Sequence, residues 1–140
     1  MVADLDVGID FQRSFSARRP LLGLTILLIE DSRFCSDVVR LMCLKSGARL
    51  RRADCIASAR RHLATYRPSV AMVDLGLPDG SGLDVIREIS LLKPIPPVIL
   101  ATSGDDDGTV AADAIAAGAK AFLPKPLKNL KQFQAQILAL

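Results

Sequence analysis

Val70-Ala71-Met72-Val73-Asp74, followed by Leu75-Gly76-Leu77-Pro78-Asp79-Gly80-Ser81-Gly82, decides the fold. Four apolar residues before a charge predict a short strand covered on both faces. Pro78, Gly80 and Gly82 stop that strand and mark a loop. The strand delivers one carboxylate, Asp74, to its carboxyl end, where open α/β sheets build their sites. Asp74 is therefore the candidate reactive group. A strand-end Asp that only caps the next helix is the plain alternative, and the neighbouring segments must decide between the two.

Upstream, Thr25-Ile26-Leu27-Leu28-Ile29 repeats the buried-strand pattern and ends in a second acidic tip, Glu30-Asp31. Ser32 is placed to cap a helix over 33–46, with Phe34, Val38, Leu41 and Met42 on one face and Gly47 as its stop. Residues 48–53 predict a polar strand whose arginines suit a sheet edge. The cluster Arg49, Arg51, Arg52, Arg60 and Arg61 reads as a solvated edge or as a seat for an acidic partner. A helix over 58–66 turns Ala59 and Leu63 inward. Downstream, a helix starting at Ser81 or Gly82 places Leu83, Ile86, Ile89 and Leu92 on one stripe, and Pro94-Ile95-Pro96-Pro97 ends it. Val98–Ala101 is a fourth strand leading to Thr102-Ser103. An acidic loop, 104–108, precedes an Ala-rich helix over 109–117, closed by Gly118. Ala121-Phe122-Leu123 is a fifth strand ending at Pro124-Lys125-Pro126. A last helix over 127–140 carries Leu130, Phe133, Ile137 and Leu138.

Five strands alternating with five helices on short connections require parallel strands and helices on both faces. The expected form is a flavodoxin-like (βα)5 three-layer sandwich with strand order 2-1-3-4-5. Residues 24–140 make up this domain. Residues 1–23 lack a sustained period and are expected to form an N-terminal arm, flexible or folded into a short docking helix through Val7, Ile9, Phe11 and Phe15.

Composition narrows the function classes. The 140 residues are half apolar and contain no Trp, so Ala, Val, Ile and Leu do the packing. With 18 basic and 15 acidic residues the net charge is +3, too mild to indicate nucleic acid by itself. Cys35, Cys43 and Cys55 form no CxxC pair and read as reduced, mostly buried fillers, which points to the cytoplasm. His62 is the sole histidine, which disfavours a His/Cys metal site. No run reaches the ~18 apolar residues of a membrane span. Residues 1–8 carry Asp4 and Asp6 in place of a basic start, so no signal peptide is expected.

Strand order 2-1-3-4-5 lines up Glu30, Asp31, Asp74, Thr102 and Lys125 along one rim. Two carboxylates ~4 Å apart repel by ~4 kcal/mol at an effective dielectric of 20. Such a cluster raises a pKa, binds a proton or binds a cation. An all-oxygen set without imidazole or thiolate suits Mg²⁺, and the Gly76 carbonyl is placed to add a ligand. Lys125 brings a fixed positive charge and Thr102 a hydroxyl. A cation, an ammonium and a hydroxyl aimed at one carboxylate describe a receptor for a phosphoryl group, with Asp74 as the nucleophile.

Glu30-Asp31, Asp74-(x)₃-Pro78-(x)₃-Gly82, Thr102-Ser103 and Phe122-(x)₂-Lys125-Pro126, in this order over residues 24–140, resemble the receiver domain of two-component response regulators. The resemblance implies Mg²⁺-dependent transfer of a phosphoryl group onto Asp74 from a sensor histidine kinase or a phosphotransfer protein. It implies that Glu30, Asp31, Asp74 and the Gly76 carbonyl hold the metal. Thr102 and Lys125 would contact the phosphoryl oxygens, and Lys125-Pro126 would be cis. It also implies a switch: Thr102 drawn inward, Phe122 turning in after it. The responding face is then the fourth helix, fifth strand and fifth helix, where a downstream protein or a second copy docks. The chain departs from the family at Ile56 and Arg60, at Pro124, and at Gly76 and Gly104, which leave the phosphoryl group open to water. With the sequence ending at Leu140, a single-domain regulator without direct DNA binding or membrane contact is expected.

Other classes fit less well. A Mg²⁺-dependent phosphohydrolase with an aspartate nucleophile wants an acid two residues on, where this chain has Gly76. A flavin carrier wants a phosphate loop after the first strand, where this chain has Glu30-Asp31. A receiver-like adaptor that is never phosphorylated does not need the full acidic set with Lys125.

Overall fold

The computed structural model describes residues 19–104 and 108–140. Most of the N-terminal arm and the three Asp of the acidic loop lie outside those residues.

Five parallel strands form the central sheet: β1 Thr25–Ile29, β2 Arg49–Ala53, β3 Val70–Asp74, β4 Val98–Ser103 and β5 Ala121–Pro124, in the order β2-β1-β3-β4-β5. This is the flavodoxin-like arrangement expected from the sequence. The helices are α1 Arg33–Ser46, α2 Ile56–Thr65, α3 Gly82–Ser90, α4 Thr109–Ala117 and α5 Leu130–Leu138. Alternate residues of a strand face opposite sides, and β1 divides accordingly. Leu27 and Ile29 join a core with Ala59 and Leu63 of α2, Val85, Ile86 and Ile89 of α3, and Ala114 and Ala117 of α4. Ile26 and Leu28 join a second core with Val39, Met42 and Cys43 of α1 and Phe133 and Ile137 of α5. β3 is buried at all five residues, as a central strand between two helical layers must be.

The structure corrects several expectations. The buried face of α1 is Ser36, Val39, Met42, Cys43 and Ser46, whereas Phe34 and Leu41 are exposed. Small side chains face the sheet on this helix, a choice that hydrophobicity alone does not register. Cys43 is buried, with its thiol pushed up to about 12 by desolvation, but Cys35 and Cys55 are only half-buried. α3 ends at Ser90, before the prolines, and buries Val85 beside Ile86 and Ile89. Leu138 of α5 is exposed. Leu21, within the stretch read as the arm, is fully buried in the α1–α5 core and its N–H donates to Ser46 O. A single anchoring residue leaves no period to read.

The loop after Asp74 carries a two-residue antiparallel ladder, Gly76–Leu77 with Gly80–Ser81. Gly82 closes it, its N–H donating to Leu75 O at 3.0 Å. A Cβ at Gly82 would lie 2.3 Å from Asp74 O and 2.6 Å from Leu75 Cα. Both are backbone atoms, so no side chain can swing away. Gly82→Ala is therefore expected to cost about 1–3 kcal/mol, measured as a lower denaturation midpoint. A midpoint equal to wild type would show that the loop yields freely.

Candidate functional site

Three strand ends and one loop meet at the carboxyl rim. β1 runs into Glu30 and Asp31. Ser32 then caps α1, its hydroxyl accepting from Cys35 N at 3.2 Å, so the chain turns immediately and both acids stay at the rim. Asp74 ends β3 and is paired in register with Thr102 on β4. Lys125 follows β5 through its N–H to Ser103 O, 2.9 Å, and the Lys125–Pro126 peptide is cis.

One carboxylate oxygen from each of Glu30, Asp31 and Asp74 lies within 4.8 Å of the others. Glu30 and Asp74 are buried, while Asp31 opens to solvent. Lys125 Nζ sits 2.5 Å from Glu30 Oε1 and 3.3 Å from Asp74 Oδ2. Asp74 Oδ1 accepts from Gly76 N at 3.2 Å, and Glu30 Oε2 from Ser32 N at 3.3 Å. Burial raises the Glu30 pKa, and the adjoining Asp74 carboxylate raises it further against the opposing pull of Lys125. Burial alone would lower Lys125. Glu30 and Asp74 outweigh it and hold the ammonium above its ordinary range. The site is thus an excess of negative charge, partly balanced by one internal cation.

The sequence-read residues do not all converge. Glu30, Asp31, Asp74, Thr102 and Lys125 belong to one rim, and Gly76 touches it through its N–H. Glu30, Thr102 and Lys125 also line a largely apolar cavity of about 160 Å³ with Phe34, Val38 and Leu127. Phe122 is half-buried and packs with the other core, next to its register partner Ala101. A Cβ at Gly76 or Gly104 would meet no atom of the described residues within 4 Å beyond its chain neighbours.

Two residues outside the sequence reading of the site prove to brace it. Arg52, on the edge strand, is not merely solvated: its Nε donates to Glu30 O at 3.1 Å and its Nη2 to Asp31 O at 3.0 Å. Asp79, in the loop after Asp74, accepts from Ile56 N at 2.8 Å and Ala57 N at 3.1 Å, capping α2 from outside that helix. The hydrogen bond from Ile56 N–H, foremost among several, holds the Asp79 carboxyl below its ordinary range. One sign of this was in the sequence. The residue before α2 is Cys55, a weak cap that reaches Ser58 N only at 3.4 Å, so a stronger acceptor had to come from elsewhere.

The donor set fits a hard divalent cation: three carboxylates, one of them open to solvent, with no nitrogen or sulfur ligand beside them among the described residues. No helix among the described residues is long and apolar enough to cross a membrane. A family described as the response regulator receiver domain matches residues 26–137. The transcriptional regulatory protein KdpE of the KDP operon, from Escherichia coli, is 29% identical over 80% of this chain and 48% of its own length. The chemotaxis protein CheY of Thermotoga maritima is 26% identical over 81% of this chain and 95% of its own. Among solved structures, the signal receiver domain of a DNA-binding response regulator from Colwellia psychrerythraea superposes with a TM-score of 0.74 at 24% identity, covering 83% of this chain and 96% of that one. The chain therefore spans about half the length of KdpE and nearly all of CheY.

Proposed function

Because this chain belongs to the family of response regulator receiver domains, we propose that Asp74 accepts a phosphoryl group from a histidine kinase or phosphotransfer protein in a Mg²⁺-dependent step. What carries the reading is the cluster itself: three carboxylates within 4.8 Å and a lysine bound to two of them.

In this reading Glu30, Asp31, Asp74 and the Gly76 carbonyl hold the cation, which offsets charge on the transferring group. Asp74 Oδ2, the oxygen facing Lys125, attacks phosphorus. The bond from phosphorus to the donor breaks and an acyl phosphate remains on Asp74. Lys125 and the Thr102 hydroxyl then meet the new phosphoryl oxygens, so Lys125 exchanges a carboxylate partner for a phosphoryl one. Thr102 is drawn inward and Phe122 turns in from its half-buried position. This alters the α4–β5–α5 face for a downstream protein or a second copy. The chain turns over no other substrate in this scheme. With no side chain at Gly76 or Gly104 to shield it, the acyl phosphate is reached by water, so its lifetime stays well under many hours.

The test is incubation with acetyl phosphate and Mg²⁺, followed by intact mass. The expected result is a gain of one phosphoryl group that a chelator prevents and that decays within hours. No gain at any Mg²⁺ concentration would leave the non-phosphorylated adaptor as the better reading. Steady phosphate release from varied organic phosphates would favour the phosphohydrolase.

A further inference from the structure

We propose that the β2–α2 turn is a clasp that positions both loops of the cation site, with Arg52 and Asp79 as positioning residues. This rests on the reading that Glu30, Asp31 and Asp74 hold a divalent cation. The two loops arise from different strands, β1 and β3, and each keeps one sheet bond past its strand end, Glu30 N–H to Ala53 O at 2.9 Å and Leu75 N–H to Thr102 O at 3.0 Å. Arg52 grips the first, its guanidinium forking onto the carbonyls of Glu30 and Asp31 at 3.1 and 3.0 Å. Four residues on, the N–H groups of Ile56 and Ala57 grip the second through Asp79. Residues 52–57 thus hold the two acid-bearing loops to one short segment. Neither Arg52 nor Asp79 belongs to the carboxylate cluster itself, so each acts through the backbone it holds. Outer-shell partners of this kind set ligand orientation and hence affinity.

Arg52 also brings a positive charge near an acidic site, and that opposes cation binding. Charge and orientation therefore predict opposite results, which makes the idea testable. Calorimetric titration of MgCl₂ and CaCl₂ into the unphosphorylated full chain would compare wild type with Arg52→Lys, Arg52→Gln and Asp79→Ala. If Arg52 positions, both Arg52 variants bind Mg²⁺ about 10-fold more weakly, and Asp79→Ala shifts the same way. Mg²⁺ demands near-ideal octahedral geometry, whereas Ca²⁺ tolerates irregular sites. The loss is therefore expected to be larger for Mg²⁺ than for Ca²⁺, which a general loss of stability would not produce. Arg52→Lys keeps the charge and the long stem, so it carries the test if Arg52→Gln fails to fold. Tighter Mg²⁺ binding in Arg52→Gln with none changed in Arg52→Lys would reduce Arg52 to a charge and overturn the clasp. Equal affinities throughout would overturn it as well, leaving the cation site intact. Absence of Mg²⁺ binding by wild type would remove the cation reading and the clasp with it.

Discussion

Asp74→Asn gains no phosphoryl group from acetyl phosphate and Mg²⁺, yet melts within about 5 °C of wild type. Asn has the shape of Asp, and its carbonyl oxygen still accepts from Gly76 N, which in wild type lies 3.2 Å from Asp74 Oδ1. What disappears is the anionic oxygen that attacks phosphorus and one ligand of the cation. An amide oxygen is no substitute for a carboxylate nucleophile at neutral pH. Stability moves little because opposing charges are removed together. Asp74 lies within 4.8 Å of two carboxylates and 3.3 Å from an ammonium. At an effective dielectric of 20 the two repulsions are about 3.5 kcal/mol each and the attraction about 5 kcal/mol. Their partial cancellation leaves a change of about 2 kcal/mol in the variant's favour, a few degrees for a chain of this size. Intact mass and a thermal melt check both halves. A phosphoryl gain equal to wild type would move the acceptor to another carboxylate of the cluster.

That cancellation also explains why the site was legible in the sequence. Charged residues buried at the ends of apolar strands are costly unless they do something together. Glu30 and Asp74 stand out against Thr25–Ile29 and Val70–Val73 because no surface explains them. The fold was legible for the same reason: continuous apolar runs separated by helical periods permit few parallel topologies. The braces were hidden. Arg52 looks like any edge-strand arginine, because its partners are backbone carbonyls that have no sequence identity. Asp79 caps a helix that begins 23 residues before it, and capping patterns are read only over a few neighbouring positions. The inward face of α1 was read only in part: Met42 is buried as expected, but Ser36, Cys43 and Ser46 pack by fit while Phe34 and Leu41 lie exposed. Hydropathy ranks those two groups the other way round.

Lys125→Met tests the internal cation on which the metal-free site depends. Met matches lysine in length and keeps the apolar stem, so packing changes least. The Lys125 side chain is 17% exposed and its partner Glu30 is 3% exposed, which makes this a largely buried pair. Removing one member leaves a buried charge uncompensated, at a cost of about 3–5 kcal/mol. The cost depends on pH in a definite direction. Burial and Asp74 already raise Glu30 above its ordinary value near 4.5, and Lys125 is what restrains the rise. Without it the folded-state pKa climbs further. A carboxyl raised on folding favours the folded state at low pH, and that advantage is lost as pH rises through the folded pKa. In a chelator, the variant should therefore melt far below wild type at pH 7.5 and close to it near pH 4.5, where Glu30 takes a proton instead. Mg²⁺ should stabilise the variant more than wild type, because the ammonium no longer competes for Glu30 Oε1 and Asp74 Oδ2. An equal deficit at both pH values, with no added benefit from Mg²⁺, would mean that Lys125 serves the fold by packing alone and that the acidic cluster needs no counterion.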